Sequence, residues 1–181
     1  MSIPQDIISF VEEKTQRPLH GDEGIMFGPR TEEITGLSVT WMATPEAIRA
    51  CAAAGHNTLI THEALTFPYP GSNTHTDPHW LSWPTNRQRL TLLSEHGIAV
   101  LRLHGSVDRI CILDDFATQL GLGAPLFKDE QQYSVRVYPS PAATFGDLIE
   151  HVKQTCRMPA LRVTHHAADM PVQRIGLPWG G

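Results

Sequence analysis

The repeated alternation of strand and helix patterns constrains the fold of this 181-residue sequence more than any other feature. Residues 37–43 and 57–61 are short runs of bulky and β-branched side chains, which are typical of strands. Between them, Thr44-Pro45-Glu46 combines an N-cap, a proline at the first helical position and a first-turn acid. It therefore predicts the start of a helix, which is expected to end at Gly55. Because a helical crossover joins the two strands, they are expected to be parallel.

The same unit then recurs along the chain. The spacing of leucines predicts a helix over residues 87–96, followed by a third strand at 98–103 and a helix at 109–120. A further helix is expected at 4–16, and the glycine-punctuated residues 21–28 are expected to be a loop leading into a strand. Successive units of this kind predict the α/β class, with a layered βαβ sheet domain.

A smaller region is expected to follow. Residues 133–138, 144–156 and 161–164 have the patterns of a strand, a helix and a strand, which together predict a small αβ appendage. The predicted organisation is a first α/β domain over residues 1–125, the appendage over 126–170, and the start of an incomplete C-terminal segment over 171–181.

Composition and charge exclude several classes of function. The net charge is −5, and phosphate neutralisation needs a basic stripe that this sequence does not show, so nucleic acid is not expected as a partner. No apolar run approaches the roughly 20 residues that span a bilayer, and no signal peptide is readable, so no membrane association is expected. Cys51, Cys111 and Cys156 are too far apart for a CxxC pair, which favours a reduced, cytoplasmic setting.

Side chains able to bind metal ions follow two of the predicted strands. His62 and Glu63 come directly after the second strand, and His104 and Asp108 come after the third. Because ligands in open α/β sheets bind at the carboxyl ends of the strands, both clusters are expected at one edge of the sheet. His104 and Asp108 are four residues apart, so they share a face if the segment is helical. Imidazole and carboxylate together suit divalent Zn, Fe, Mn or Ni.

Each cluster also has a structural interpretation. His62 can cap its strand by hydrogen bonding while Glu63 is solvated. Asp108 can be a first-turn acid that interacts with the helix dipole, and His104 a polar residue at the end of a strand. The occurrence of two such clusters after two equivalent strands favours the metal site.

Several other residues are assigned to structural roles. Thr164-His165-His166 also ends an apolar run, but it belongs to the appendage, so we predict a surface or subunit-contact role for His165 and His166.

The proline-rich residues 64–84 are expected to form a long loop, either a lid or an interface segment. Trp41 and Met42 are predicted to lie in the core. No GxSxG turn supports a serine nucleophile, and the cysteines read as buried small hydrophobes.

The order of these short motifs resembles one known family. The motifs are, in sequence, GDEGIMFG, LITHEAL, HGIAVLRLHGSVD, DDFATQLGLG and RIGLPWGG. Together they are similar to the NGG-interacting-factor-three-like dinuclear-metal-centre family of the YbgI type, whose members are commonly labelled GTP cyclohydrolase type-two-like or metal-dependent hydrolase-like. The resemblance extends over nearly the whole chain.

The resemblance implies a pair of divalent metal ions and, for several members, a ring-shaped homohexamer. Matched by residue, His62, Glu63 and Asp108 take ligand positions. His104 matches a histidine close to the metals, which we take as the catalytic residue, either orienting a ligand or facing the substrate. Glu63 replaces a more common histidine, which favours Mn or Fe. The family's remaining His and Glu ligands come from a C-terminal segment that these 181 residues do not contain. The chain is therefore expected to be a fragment, a truncated gene product or a chain that another one completes.

Two functions are therefore predicted. The first is a metal-dependent hydrolase, whose two ions would activate a water against a nucleotide-like or phosphorylated small molecule. The second is a non-catalytic oligomeric adaptor or assembly protein with a structural or vestigial metal site, in which the loop from Phe67 to Pro84 makes a subunit contact.

Overall fold

The computed structural model describes residues 2–30, 32–68, 79–128, 135–165 and 167–178. The chain forms two compact units, Met1–Val107 and Asp108–Gly181. The sequence-based limits at residues 125 and 170 stay predictions. The mixture of helices and sheets in the two units confirms the predicted α/β class.

The first unit is built on a four-stranded sheet. Its strands are β1 Gly24–Phe27, β2 Leu37–Thr40, β3 Thr58–Thr61 and β4 Ala99–Arg102, in the order β1-β4-β3-β2. The strands β2, β3 and β4 are parallel, as the repeated strand–helix pattern predicts, and β1 is antiparallel to β4. The carboxyl ends of β3 and β4 therefore meet at one edge, to which β1 contributes its first residue.

Three helices accompany this sheet, namely α1 Pro4–Thr15, α2 Pro45–Ala53 and α3 Pro84–His96. The predicted start of α2 is confirmed, because the Thr44 hydroxyl accepts a hydrogen bond from the Ala47 amide at 3.2 Å. The helix α3 begins at Pro84, three residues earlier than the leucine spacing predicts, and a short 3₁₀ turn, Trp80–Ser82, precedes it. Residues 69–78 of the predicted long loop lie outside the described residues.

The helices bury opposite faces of the sheet, which explains why the central residues of β3 and β4 are apolar on both faces. Leu59 of β3 and Val100 of β4 pack with α2 and α3 through Ile48 and Leu93. The alternate residue of β4, Leu101, packs with α1 in a second core. Strands covered on both faces cannot show an apolar–polar alternation, so their sequences read as continuous apolar runs.

The strand β1 lies very close to β4. Gly28 has a φ of +85°, and a Cβ placed there would meet the Ala99 Cα at 2.8 Å. In the antiparallel register Gly24 pairs with Arg102, the last residue of β4. The turn that precedes β1 is thereby held at the carboxyl end of β4.

A continuous helical segment begins after β4. It consists of α4 Gly105–Val107, a π-helical turn at Asp108–Ile112 and α5 Leu113–Gln119. The predicted single helix at residues 109–120 is thus interrupted by a π-helical turn, a distortion that is frequent at functional sites.

The second unit contains an antiparallel sheet of three strands, β5 Phe127–Lys128, β6 Val135–Pro139 and β7 Arg174–Pro178, together with α6 Phe145–Thr155. Leu113, Ala117, Leu120, Tyr138 and Leu177 form its core. The strand predicted at residues 161–164 is wrong, since that segment forms no strand and the partner of β6 is β7. The strand β7 lies within residues 171–181, which the sequence analysis assigned to a C-terminal segment. No helix in the described ranges is both long and apolar enough to cross a membrane.

Candidate metal centre

The two predicted histidines leave neighbouring parallel strands at the same edge. Thr61 of β3 pairs with Arg102 of β4, and the Leu103 amide donates to the Thr61 carbonyl at 2.9 Å, so the pairing continues past both strands. His62 and His104 follow directly from these paired positions. Their rings are in edge-to-face contact, with centroids 4.9 Å apart. The parallel topology that the sequence predicts thus brings the two imidazoles together.

Asp108 joins the two histidines. Each of His62, His104 and Asp108 offers one potential ligand atom, and these atoms all lie within 4.8 Å of one another. The Val107 amide donates to the His104 carbonyl at 3.1 Å, and this turn of the chain returns Asp108 towards His104. His62 and Asp108 are only 9% and 6% exposed. Within the described part of the chain, this is a group that can hold a metal ion.

Other predicted site residues lie elsewhere. Glu63 is not a member of this group of described residues, and its amide donates to the Trp41 carbonyl at 2.8 Å; its role as a metal ligand stays a prediction. His165 is exposed and its ring contacts that of Phe145, with centroids 5.7 Å apart. His166 lies outside the described residues.

Asp22 fixes the orientation of His104. Its Oδ2 lies 2.9 Å from the His104 Nδ1 and 2.9 Å from the Arg102 Nη1. A neutral imidazole that donates its Nδ1 proton to this carboxylate carries its lone pair on Nε2, which is the form a metal ion requires. The tautomer is inferred from this hydrogen bond.

Glu23 anchors the backbone between His104 and Asp108. Its carboxylate accepts hydrogen bonds from the His104 amide, from the Ser106 amide at 3.1 Å and from the Ser106 hydroxyl at 2.6 Å. It also accepts from the His20 amide at 2.8 Å. Glu23 is 4% exposed, so these donors replace the water that a carboxylate normally needs. The negative charge also lies at the start of α4, where the helix dipole favours it.

Arg102 ties the two strand ends to the turn before β1. Its side chain is 1% exposed. Its Nε donates to the His62 carbonyl at 3.0 Å, and its Nη1 donates to the Asp22 carbonyl at 2.9 Å besides pairing with the Asp22 carboxylate. A buried guanidinium is tolerated because it has both a counter-charge and carbonyl acceptors.

Trp41 is not a core residue, so that prediction is wrong. It comes directly after β2 at the edge of the sheet and is 59% exposed. One face of the indole stacks on the His62 ring, with a centroid distance of 4.1 Å and an interplanar angle of 19°. The Trp41 carbonyl accepts hydrogen bonds from the amides of His62 and Glu63. The residue therefore belongs to the candidate site and not to the hydrophobic interior.

Sequence reasoning missed Asp22, Glu23 and Arg102. The adjacent acids were visible in the glycine-punctuated turn at 21–28, but only the antiparallel pairing of β1 with β4 shows that this turn borders the site. Arg102 could have been noticed from the sequence, because a charge within the apolar run at 98–103 needs a buried partner.

The side chains present fit a divalent ion. Two imidazole nitrogens and a carboxylate oxygen are borderline-to-hard donors that suit Zn, Fe, Mn or Ni. The hydrogen bond from His104 to Asp22 is the kind of support that metal-binding histidines usually have.

Comparisons with known proteins agree with this fold. The model of the Duf34/NIF3 (NGG1p interacting factor 3) family matches residues 4–181. The crystal structure of a Bacillus cereus protein related to NIF3 matches with a TM-score of 0.76 at 16% identity, over 100% of this chain and 77% of that one. The protein ybgI, of unknown function, matches with a TM-score of 0.76 at 16% identity, over 99% of this chain and 70% of that one.

Reduced HcgD from Methanocaldococcus jannaschii matches with a lower TM-score. Its TM-score is 0.62 at 20% identity, over 84% of this chain and 60% of that one, so the chain spans about three fifths of HcgD. No curated protein matches this sequence. At these identities the structural matches show the fold, and the family model shows the family.

Proposed function

The chain belongs to the DUF34/NIF3 family, and from that premise we propose that it is a metal-dependent hydrolase acting on a nucleotide-like or phosphorylated small molecule. The observation that carries this proposal is the convergence of His62, His104 and Asp108, whose ligand atoms lie within 4.8 Å of one another at the carboxyl edge of a parallel sheet. Hydrolytic metal sites are built from such donors at such an edge.

We assign His62, His104 and Asp108 to one divalent ion, and Glu63 to a second. When bound, the ions would supply Lewis-acid stabilisation of negative charge and a water of lowered pKa. Mn and Fe are the metals we favour, because Glu63 would add a hard oxygen donor to the set. The edge-to-face packing of His62 and His104 holds both rings in place for this role.

The residues around His62, His104 and Asp108 hold these side chains in place. Asp22 holds His104 in one tautomer, and Arg102 holds Asp22 and the His62 carbonyl together. Glu23 fixes the amides of His104 and Ser106, which keeps the chain between His104 and Asp108 in one conformation. A pre-organised group of this kind spends little free energy on rearrangement when it binds an ion.

Metal content measured after mutation tests the proposal. His62→Ala and Asp108→Ala are expected to lose most of the bound metal in elemental analysis of protein purified without chelator. His96→Ala and Asp115→Asn, at described positions outside the group, are the matched controls and are expected to keep it. Hydrolysis is then assayed on a panel of nucleotides and sugar phosphates. Unchanged metal content in both His62→Ala and Asp108→Ala would end the proposal.

A second candidate function, an oligomeric adaptor, is supported by exposed apolar residues. Val39 on the edge strand β2 is 73% exposed, and Leu81 and Trp83 before α3 are 49% and 45% exposed. Side chains of this kind are enriched at protein interfaces. We propose a homo-oligomer, a ring-shaped hexamer by resemblance, in a cytoplasmic setting consistent with three free thiols. An unchanged oligomeric mass after chelation, together with no turnover on the panel, would favour the adaptor.

A further inference from the structure

Trp41 combines high solvent exposure with a ring contact to the candidate site. It is 59% exposed, and yet one face of its indole is already stacked on the ring of His62, a candidate metal ligand. An isolated exposed tryptophan needs no explanation. An exposed tryptophan that covers one face of a candidate ligand is an aromatic surface beside the candidate site.

The stacking leaves the metal-binding role of His62 intact. An imidazole coordinates through a lone pair in the plane of its ring, whereas the indole contacts the face of the ring. The two interactions are therefore compatible on one histidine. The indole lies within 19° of the imidazole plane, so its solvent-facing side presents a flat aromatic surface parallel to the His62 ring.

The backbone holds this surface in place. The Trp41 carbonyl accepts hydrogen bonds from the His62 amide at 3.1 Å and from the Glu63 amide at 2.8 Å. The residue thus stays in register with the chain that carries the candidate ligands. A ring that covers the outer face of the indole is separated from the His62 ring by the indole itself. The sugar and phosphate attached to such a ring can then extend past the indole towards His62, where a substrate of the proposed hydrolase has to bind.

Resting on the proposed function, we infer that Trp41 is a substrate-binding residue that stacks on a planar heteroaromatic ring. Planar bases stack favourably on an aromatic side chain, whatever the identity of the base. The residue would thereby select substrates that carry a heteroaromatic ring, such as purine nucleotides, over sugar phosphates that carry no base. Trp41 is assigned to binding and specificity, and it takes no part in bond cleavage.

Calorimetric titration with two probes tests this inference. Adenosine 5′-monophosphate and ribose 5-phosphate share the phosphate and the sugar, and only the first has a heteroaromatic base. We expect Trp41→Ala to raise the Kd for the nucleotide by about fivefold or more and to leave that for ribose 5-phosphate within about twofold. Trp41→Phe, which keeps a ring, is expected to restore most of the affinity. Trp83→Ala, at another exposed tryptophan, is the matched control.

Titrations of both the Mn²⁺-loaded and the chelated protein separate this inference from the proposed function. Failure to bind Mn²⁺ would overturn the hydrolase, while the effect of Trp41→Ala on nucleotide binding in chelated protein would still decide the role of Trp41. Equal nucleotide affinity in Trp41→Ala and wild type, or no saturable nucleotide binding at millimolar concentration, would overturn the inference. A loss of oligomeric mass in Trp41→Ala without a change in nucleotide affinity would also overturn it, in favour of a subunit contact.

Discussion

Two segments of this chain have nearly the same sequence and different structures. Leu101-Arg102-Leu103-His104 leads from β4 into the candidate site, whereas Leu161-Arg162-Val163-Thr164-His165 belongs to no strand. Arg102 is buried and paired with Asp22, and Arg162 is exposed. A leucine–arginine–apolar run ahead of a histidine therefore does not determine the environment of its side chains. In the first segment that environment is determined by the neighbouring strands and by the turn at 21–28.

The largest expected difference in stability is between variants of the two arginines. Arg102→Met leaves the Asp22 carboxylate without its guanidinium and the His62 carbonyl without a donor, so we expect the free energy of unfolding to fall by about 3–5 kcal/mol. Arg162→Met should change it by no more than about 0.5 kcal/mol, because that side chain is exposed. Urea denaturation followed by circular dichroism measures both values. Equal losses in the two variants would show that the burial of Arg102 has no energetic consequence.

The carboxylate of Glu23 provides the next contrast. The Glu23 carboxylate accepts hydrogen bonds from donors that include the amides of His20, His104 and Ser106. In Glu23→Gln an NH2 group replaces one of the two acceptor oxygens, so at least one of these donors loses its partner. We expect a loss of about 1–3 kcal/mol in stability, since a buried donor without a partner costs that much. Glu150→Gln, which affects only an exposed pair with Lys153, is the control and should have little effect. Thermal unfolding of both variants would decide the matter, and a stable Glu23→Gln protein would contradict the anchoring role.

A smaller effect is expected for the orientation of His104. Asp22→Asn removes the charge that holds the Nδ1 proton of this histidine, so we expect the affinity for Mn²⁺ to fall by about tenfold or more. Asp169→Asn, in the exposed segment near His165, is the matched control and should bind Mn²⁺ as wild type does. Equilibrium dialysis with elemental analysis gives the affinity. An undiminished affinity in Asp22→Asn would mean that His104 does not depend on Asp22 for its tautomer.

The smallest expected effect is a change in the pH dependence of the free energy of unfolding. Burial raises the pKa of the Cys51 thiol, so the folded protein keeps this proton at pH values at which the unfolded chain has lost it. The free energy of unfolding should therefore fall as pH rises above the unfolded thiol pKa of about 8.5, and the fall should end above the folded pKa. Cys51→Ala should remove this part of the pH dependence, measured by urea denaturation across the alkaline range. An identical alkaline slope in the variant would contradict the assignment.

The sequence predicted most of the elements that position the site. The parallel order of β2, β3 and β4 followed from two strand–helix–strand patterns, and the cap at Thr44 fixed the start of α2. The convergence of His62, His104 and Asp108 follows from that order, because parallel neighbours end at the same edge. These features depend on local patterns and on one rule of chain topology, so a single sequence contains enough information to predict them.

The remaining features depend on contacts between residues distant in the chain. Asp22 meets His104 across 82 residues of sequence, and only the pairing of β1 with β4 brings them together. Trp41 looks like a core residue because it extends an apolar strand, yet β2 is an edge strand and the chain leaves the sheet at that point. Residues 161–164 are apolar enough for a strand, but β7 occupies the position beside β6. Such competition between segments is not visible in local patterns.

X-ray absorption at the metal edge tests the central claim most directly. In protein loaded with one equivalent of Zn²⁺ as a spectroscopic probe, we predict scattering from two imidazole rings and from a carboxylate oxygen. We expect His62→Ala to show one imidazole and His165→Ala to show the same spectrum as wild type. A spectrum of His62→Ala with the wild-type number of imidazoles would contradict the claim that His62 and His104 hold the ion together.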